Sequence, residues 1–437
     1  MFTNKFLIKM LWPLFVEQFL IFAVGLVDSI MVASVGEAAV SAVSLIDSIM
    51  ILITTVMIAL STGGAVVVGQ YLGQGKKEEA CEAADQLLLF TILFSLILIA
   101  FLYAFRGNLL SLIFGNIEEE VMSYCNIYYL IVIASVPFQG IYNSGAALFR
   151  SVGNSKMSMK ISFLMNGINV TGNALLIFGF HRGVEGVAIP TLASRIIAAI
   201  IIFVLLKKPD LGVHISKKFV WKPDFALIKK ILKIGVPNCV ENSMFQLGRL
   251  ILISFISTFG TIAIAANAVG NAVSMVSIIP GSAVGLAVVS IISQCAGAGD
   301  YIQVRYYTIK LLKWSYAAMC AMNVSIIAAT PFIIKIYALS EATGQLASEL
   351  IILHSAFAII IWPVSFTLPN ALRAVSDVTY TMVIGVASMW IFRIGLAFLL
   401  GTRFDMGVLS VWIAMIADWF VRSICFVVIY RSGRWKG

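Results

Sequence analysis

Charge is scarce in this sequence. Only 12% of its 437 residues are charged, about half the share expected of a soluble globular domain. The three histidines, His181, His214 and His354, are far apart in the chain. The six cysteines, Cys81, Cys125, Cys239, Cys295, Cys320 and Cys425, form no CxxC pair and no Cys/His cluster. A metal site and a disulfide framework are therefore not expected. No GxxxxGK(S/T) run occurs, so the chain lacks a phosphate-cradling loop and ATP is not expected to drive it. The glycine-rich runs at 69–75 and 294–299 close apolar stretches instead of joining a strand to a helix. They read as helix C-caps and not as dinucleotide loops. No nucleophile, base and orienter converge, so an enzyme is not the expected reading.

What the chain has in abundance is apolar sequence. Sixty per cent of the residues are hydrophobic and the mean hydropathy is +0.99. Runs long enough to cross the hydrocarbon, about 20 residues each, lie near 8–30, 43–68, 86–105, 122–148, 157–180, 184–206, 230–257, 262–291, 309–334, 347–371, 379–401 and 406–430. The runs lack barrel alternation, and a lipid-embedded backbone must satisfy its own hydrogen bonds, so each is read as a helix. The expected fold is an all-α polytopic membrane protein of about twelve transmembrane helices. The first run carries Glu17 and no small-residue cleavage site, so it is expected to be retained and not removed as a signal peptide.

The sequence also repeats itself. Pro13 and Glu17 return 224 residues later as Pro237 and Glu241, and the same shift takes Gly36 to Gly260, Gln70 to Gln294, Gly73 to Gly297 and Gly183 to Gly407. The run from Arg150 to Asn154 echoes the run from Arg373 to Asp377, one residue closer. Two homologous halves follow: a six-helix lobe at 1–206, a basic linker at 207–229 and a second six-helix lobe at 230–437. With an even number of spans in each, the halves enter the membrane from the same side as parallel repeats, and duplicated halves of this kind suit a transporter working by alternating access.

Lysine and arginine concentrate on one set of connections. Lys76, Lys77, Arg150, Lys156, Lys160, the linker lysines, Arg305, Lys310, Lys313, Arg373 and the tail residues Arg431, Arg434 and Lys436 fall on one side, and Arg106, Arg182, Lys335 and Arg403 on the other. The positive-inside rule puts both termini and the linker in the cytoplasm, with the chain integral to the plasma or inner membrane. The net charge of +9 follows from this bias. It gives no ground for nucleic acid, and the lipid bilayer with its anionic headgroups is the nearer partner.

Ionisable side chains at helix centres cost about 2.5–3.5 kcal/mol each on insertion scales and point to function. Glu17 and Asp28 are eleven residues apart on the first helix, close to three full turns, so they share a face. Both are candidate cation- or proton-binding groups, and both have a plainer reading as wetted residues near a helix end. Glu241, one turn after Pro237, has Asn238, Asn242, Gln246 and Arg249 nearby on the seventh helix. It is a candidate coupling residue, or else a buried ion pair with Arg249 or Arg195. Asn166, Asn169 and Asn173 form a polar stripe on the fifth helix. With Asp28 they are expected to build an oxygen-rich site, or to join helices by hydrogen bonds. Asp418 and Arg422 are expected to neutralise one another at i, i+4. Asp47 is expected at the interface, and Arg393 either faces a second-half acid or snorkels outward.

These residues fall in motifs. Trp12-Pro13 with Glu17, the run from Gly25 through Asp28 to Met31, Gly69 through Gly75, Ala147 through Asn154 and Asn169 through Gly179 resemble the signatures of multidrug and toxic compound extrusion (MATE) transporters. Gly235-Val236-Pro237 with Glu241 and Ala371-Leu372-Arg373 leading to Asp377 continue the resemblance through the second half. It covers essentially the whole chain. The resemblance implies a monomeric two-lobe antiporter that expels small organic cations, with Na+ or H+ as coupling ion and no other cofactor. In its NorM-type branch, Asp28, Asn169, Asn173 and Glu241 fall on the cation site. Two departures stand out: Asn173 replaces a fifth-helix aspartate used in another branch, and 361–369 lacks the tenth-helix acid. Phe138, Tyr142, Met275, Trp362 and Phe366, with Gln246, are candidates to line the substrate cavity, each with a plainer reading as a packing residue. A flippase for lipid-linked saccharides, from the same wider superfamily, is the alternative. It would use basic residues such as Arg195, Arg249 and Arg393.

Overall fold

The computed structural model describes residues 2–115, 117–208, 212–216 and 222–436, and among them there are helices and turns but no strand. Eleven helices are long and apolar enough to cross a membrane, and twelve when the bent pair Glu119–Ile133 and Val136–Ser151 counts as one. We number them as spans 1 (Asn4–Ala33), 2 (Glu37–Gly73), 3 (Lys77–Ala104), 4 (the bent pair), 5 (Ser155–Gly179), 6 (Glu185–Leu206), 7 (Phe225–Ser257), 8 (Ile279–Gly297), 9 (Tyr301–Ile336), 10 (Glu341–Ala374), 11 (Val378–Arg403) and 12 (Leu409–Ser432). A shorter apolar helix, Thr261–Ser277, runs into span 8.

The duplication is visible in the helix boundaries. Helices begin at Glu37 and Thr261, at Lys77 and Tyr301, and at Glu185 and Leu409, each pair 224 residues apart. Their ends repeat too, and for a specific reason. At the end of span 2 the Lys76 amide donates to the Tyr71 carbonyl at 3.0 Å and Gly75 takes a φ of 75°. At the end of span 8 the Asp300 amide donates to Cys295 at 3.1 Å and Gly299 takes a φ of 70°. Both are left-handed C-caps that glycine enters without a Cβ penalty, as the glycine runs predicted.

Two runs expected as single helices are broken. The run 122–148 bends by 45° between Ile133 and Val136, and the run 262–291 divides at Ile278. In each case a proline, Pro137 or Pro280, stands in the first turn of the second piece. Proline has no backbone N–H to continue the ladder but fits a helix start.

The chain forms two compact units, Ile8–Val236 and Pro237–Gly437 with Met1–Leu7. In the first, span 2 meets the start of span 7 through glycines. A Cβ on Gly63 would lie 2.7 Å from the Ile231 carbonyl oxygen and 2.8 Å from the Gly235 nitrogen, so the two backbones touch where only hydrogen fits. The described part of the linker is held to span 3. Asp85 accepts from the Ser216 amide at 3.1 Å and from its hydroxyl at 2.5 Å, and Gln86 accepts from the Asp224 amide at 2.9 Å. Asp224 in turn caps span 7, accepting from Ala226 at 2.8 Å. Residues 209–211 and 217–221, with Lys217 and Lys218, lie outside the described residues.

Candidate functional site

The first unit contains two polar clusters. Asp28 on span 1 is half-buried and faces span 5, where Asn173 donates to its Oδ1 at 2.8 Å. Asn169, turned so that both ends of its amide are satisfied, donates to both carboxylate oxygens at 3.1 Å and accepts from Thr191 of span 6 at 3.0 Å. The close approach of spans 5 and 6 comes from Gly172, whose Cβ would lie 2.7 Å from Pro190. The carboxamide oxygen of Asn173 is buried and has no donor among the described residues. Asp47 on span 2 is half-buried and accepts from Tyr128 at 3.2 Å. Arg195 of span 6 donates to Ser135 at 2.6 Å and interacts electrostatically with both Asp28 and Asp47.

The second cluster is built on Glu17, which is 3% exposed. Ser158 donates to its carboxylate at 3.0 Å, and Arg150 reaches it at 3.4 Å and Ser158 at 3.2 Å. Spans 1, 4 and 5 are tied together at this point. Asn166 is not part of the Asp28 cluster; its amide turns back to Ser162 at 3.3 Å.

In the second unit Glu241 is 5% exposed and clamped by two guanidinium groups, Arg373 at 2.6 Å and Arg422 at 3.0 Å. Neither Arg249 nor Arg195 is its partner. The expected Asp418–Arg422 pair does not form: Asp418 accepts from Ser388 at 2.5 Å and faces Arg393 at 3.7 Å, while Arg422 turns to Glu241. Both residues belong to span 12, but a carboxylate from span 7 gives Arg422 a shorter, fully buried partner. Arg393 therefore faces a second-half acid, one of the two readings open to it. Asn242 donates to Asn238 at 2.8 Å to the carbonyl oxygen and 3.0 Å to the side chain, within span 7.

The aromatic candidates are dispersed. Trp362, 6% exposed, stacks on Phe366 at 5.0 Å and joins a core with Met319, Ala358, Ile361, Ile416 and Trp419. Phe366 also carries the Arg422 guanidinium at 4.8 Å. Tyr142 is buried and Phe138 half-buried in the first unit, Gln246 is half-buried in the second, and Met275 is 42% exposed.

Sequence reasoning missed the pairing of Glu17 with Arg150 and of Glu241 with Arg373. The signal was present, because both members recur together, the glutamate at a spacing of 224 and the arginine at 223. Thr191, Ser158 and Tyr128 left no such trace, since a lone hydroxyl on an apolar helix is ordinary.

Comparisons with known proteins agree along the chain. A protein-family profile described as MatE matches residues 13–175 and again 237–399. The "Uncharacterized transporter YisQ" of Bacillus subtilis (strain 168) is 27% identical over 436 residues, 98% of this chain and 94% of that protein. The "Probable multidrug resistance protein NorM" of Thermotoga maritima is 26% identical, over 99% of this chain and 93% of its own length. Among solved structures, an outward-facing multidrug resistance MATE family transporter of the MOP superfamily superposes with a TM-score of 0.89 at 20% identity, covering 98% of this chain and 95% of that one.

Proposed function

The chain belongs to the MatE family, and on that premise we propose that it is a membrane antiporter exporting small organic cations in exchange for Na+ or H+ by alternating access. The observation that carries the coupling site is Asp28. Its carboxylate receives amide donors from Asn173 and Asn169, and beside it the Asn173 oxygen has no donor. A bare carboxylate prefers amide N–H groups, whereas a bound cation or proton prefers oxygen. Occupation of Asp28 would therefore turn the Asn169 amide, exchanging its hydrogen-bond partner Thr191 from donor to acceptor. That rotation links ion occupancy to the packing of spans 1, 5 and 6, which is the kind of two-state element that coupling needs. Asp47, Tyr128 and Arg195 set the surrounding charge.

Glu17 and Glu241 take a different part in this reading. Each is already neutralised by arginine, so each braces its own unit and binds no transported ion. Bias in the lysines and arginines supports cytoplasmic termini; a plasma-membrane location and a monomeric state belong to the same proposal. A second reading, the lipid-linked saccharide flippase, draws on the arginines inside the second unit.

The test is efflux of ethidium from proteoliposomes with sodium and proton gradients imposed separately. Gradient-driven efflux supports the antiporter and names its ion. No efflux under either gradient moves the reading to the flippase.

A further inference from the structure

Span 7 carries a guanidinium that nothing in its own unit answers. Arg249 is half-buried and makes no hydrogen bond or ion pair with any described residue. The packing of spans 7 and 11 brings a second guanidinium beside it. A Cβ on Gly248 would lie 2.5 Å from Met389 Cε and 3.1 Å from Ile394 Cδ1, so glycine admits the seven-residue π-helical turn Met389–Gly395 against span 7. That turn carries Arg393, and such turns often mark functional sites. Arg249 and Arg393 line one small cavity with Asn267, Asn271, Val411 and Trp412. Its volume of about 40 Å³ is room for about three water-sized groups and for no organic molecule.

The cavity is rich in donors and short of negative charge. Arg393 faces Asp418 at 3.7 Å, beyond hydrogen-bond length, and lies over the Phe245 ring at 4.9 Å. Its Nε is buried without an acceptor among the described residues. Trp412 Nε1 donates to the Asn267 carboxamide oxygen at 3.1 Å, which leaves the Asn267 NH2 group to donate. No acidic residue lines the space. Two guanidinium groups therefore share one carboxylate, Asp418, and repel each other. Glu241 gives no relief, because Arg373 and Arg422 already hold it. Water in the cavity would accept hydrogen bonds but leave the excess positive charge standing at membrane depth, where an uncompensated charge is costly. A small anion supplies the acceptor and the charge together.

We propose that this cavity holds one small inorganic monovalent anion, of the size of chloride, with Arg249, Arg393 and the Asn267 amide donating to it. The anion is a resident counter-ion and not cargo: it balances the charge where spans 7 and 11, the helix Thr261–Ser277 and Trp412 of span 12 come together. The duplicated sequence has no second copy of the site, since Gly25 stands 224 residues before Arg249. The site does not depend on what the chain transports, so it stands or falls apart from the antiporter reading.

The test is the line width of the chloride NMR signal with the purified full chain in nanodiscs of zwitterionic lipid, in gluconate buffer at constant ionic strength. Wild type is expected to broaden the signal saturably, and bromide to reverse the broadening where benzoate does not. Arg249→Gln should weaken the apparent chloride affinity about tenfold or more, the size of a charge-assisted contact. Where that variant is not monodisperse, Arg249→Lys takes its place, because the charge remains without the fork and the chloride curve should move to higher concentration. No saturable broadening in wild type overturns the proposal, and so does a chloride curve unmoved by the folded Arg249 variant. Reversal by benzoate as effective as that by bromide overturns it as well, because the site then admits an organic acid. Radiochloride uptake into proteoliposomes under the gradients that drive ethidium would contradict the resident role, whereas failure of ethidium efflux alone would leave the anion site intact and sink only the transport reading.

Discussion

Glu17 and Glu241 hold corresponding places in the duplicated sequence and meet the same partner type, yet their surroundings differ in strength. Glu241 has two guanidinium groups, Arg373 at 2.6 Å and Arg422 at 3.0 Å. Glu17 has one at 3.4 Å and a hydroxyl at 3.0 Å. Removing one member of a buried ion pair leaves the other charge uncompensated and costs about 3–5 kcal/mol. Glu241→Gln should therefore lower the thermal unfolding midpoint in detergent by more than Glu17→Gln does. A Glu241→Gln variant as stable as wild type would show that the arginines are compensated elsewhere. At this scale the sequence picked out the ionisable residues Glu17, Glu241 and Asp418, which the structure buries, and assigned some of their partners wrongly. Helical spacing put Asp418 and Arg422 on one face, but a second helix supplied the stronger acceptor, Glu241, and i, i+4 geometry carries no information about that helix. Asn169 and Asn173 were read correctly as partners available to Asp28, since their stripe faces one way; Asn166 shares the stripe but has Ser162 one turn below it.

Helix ends and helix crossings carry the next set of consequences. Gly153 and Ser376 close spans 4 and 10 in equivalent turns, with φ values of 79° and 68°. The Asn154 amide donates to Phe149 at 2.8 Å in one, and the Asp377 amide to Leu372 at 2.9 Å in the other. The second repeat places a serine where the first has glycine, in a backbone region that costs L-residues about 1–2 kcal/mol. Ser376→Gly should raise the unfolding midpoint by an amount corresponding to about 1 kcal/mol, and no increase would mean that the serine side chain repays its strain. Gly63→Leu makes the opposite case. Its side chain would meet the backbone of Ile231 and Gly235 within 2.7–2.8 Å, so loss of monodisperse protein is expected on size-exclusion chromatography. The spans themselves were legible because hydrophobic runs of membrane length have few alternative structures. Their breaks were not, although Pro137 and Pro280 stood in plain view: a proline ends one helix or merely bends it according to what packs there, and the apolar run looks the same either way.

For the whole molecule, the duplication was the feature most fully readable from sequence, since the 224-residue spacing of Glu37 and Thr261 or Glu185 and Leu409 reappears in the helix starts. What spacing alone did not reveal is that the two copies have diverged in how they pair charge: Glu17 meets one guanidinium in the first unit and Glu241 two in the second. Our proposal places ion coupling at Asp28, which hydrogen-bonds to amides and is not clamped by a guanidinium among the described residues. One charge moving down 100 mV gains about 2.3 kcal/mol, enough for roughly a fiftyfold concentration ratio at one-to-one exchange. If the ion weakens substrate binding, substrate must weaken ion binding by the same factor. The most direct measurement is the affinity of the purified protein for ethidium as Na+ concentration and pH are varied, in wild type and in Asp28→Asn. Ethidium binding should weaken in wild type as the coupling ion, Na+ or H+, is raised, and become independent of that ion in Asp28→Asn. An unchanged ion dependence in a folded Asp28→Asn protein would contradict the assignment of coupling to the Asp28 cluster.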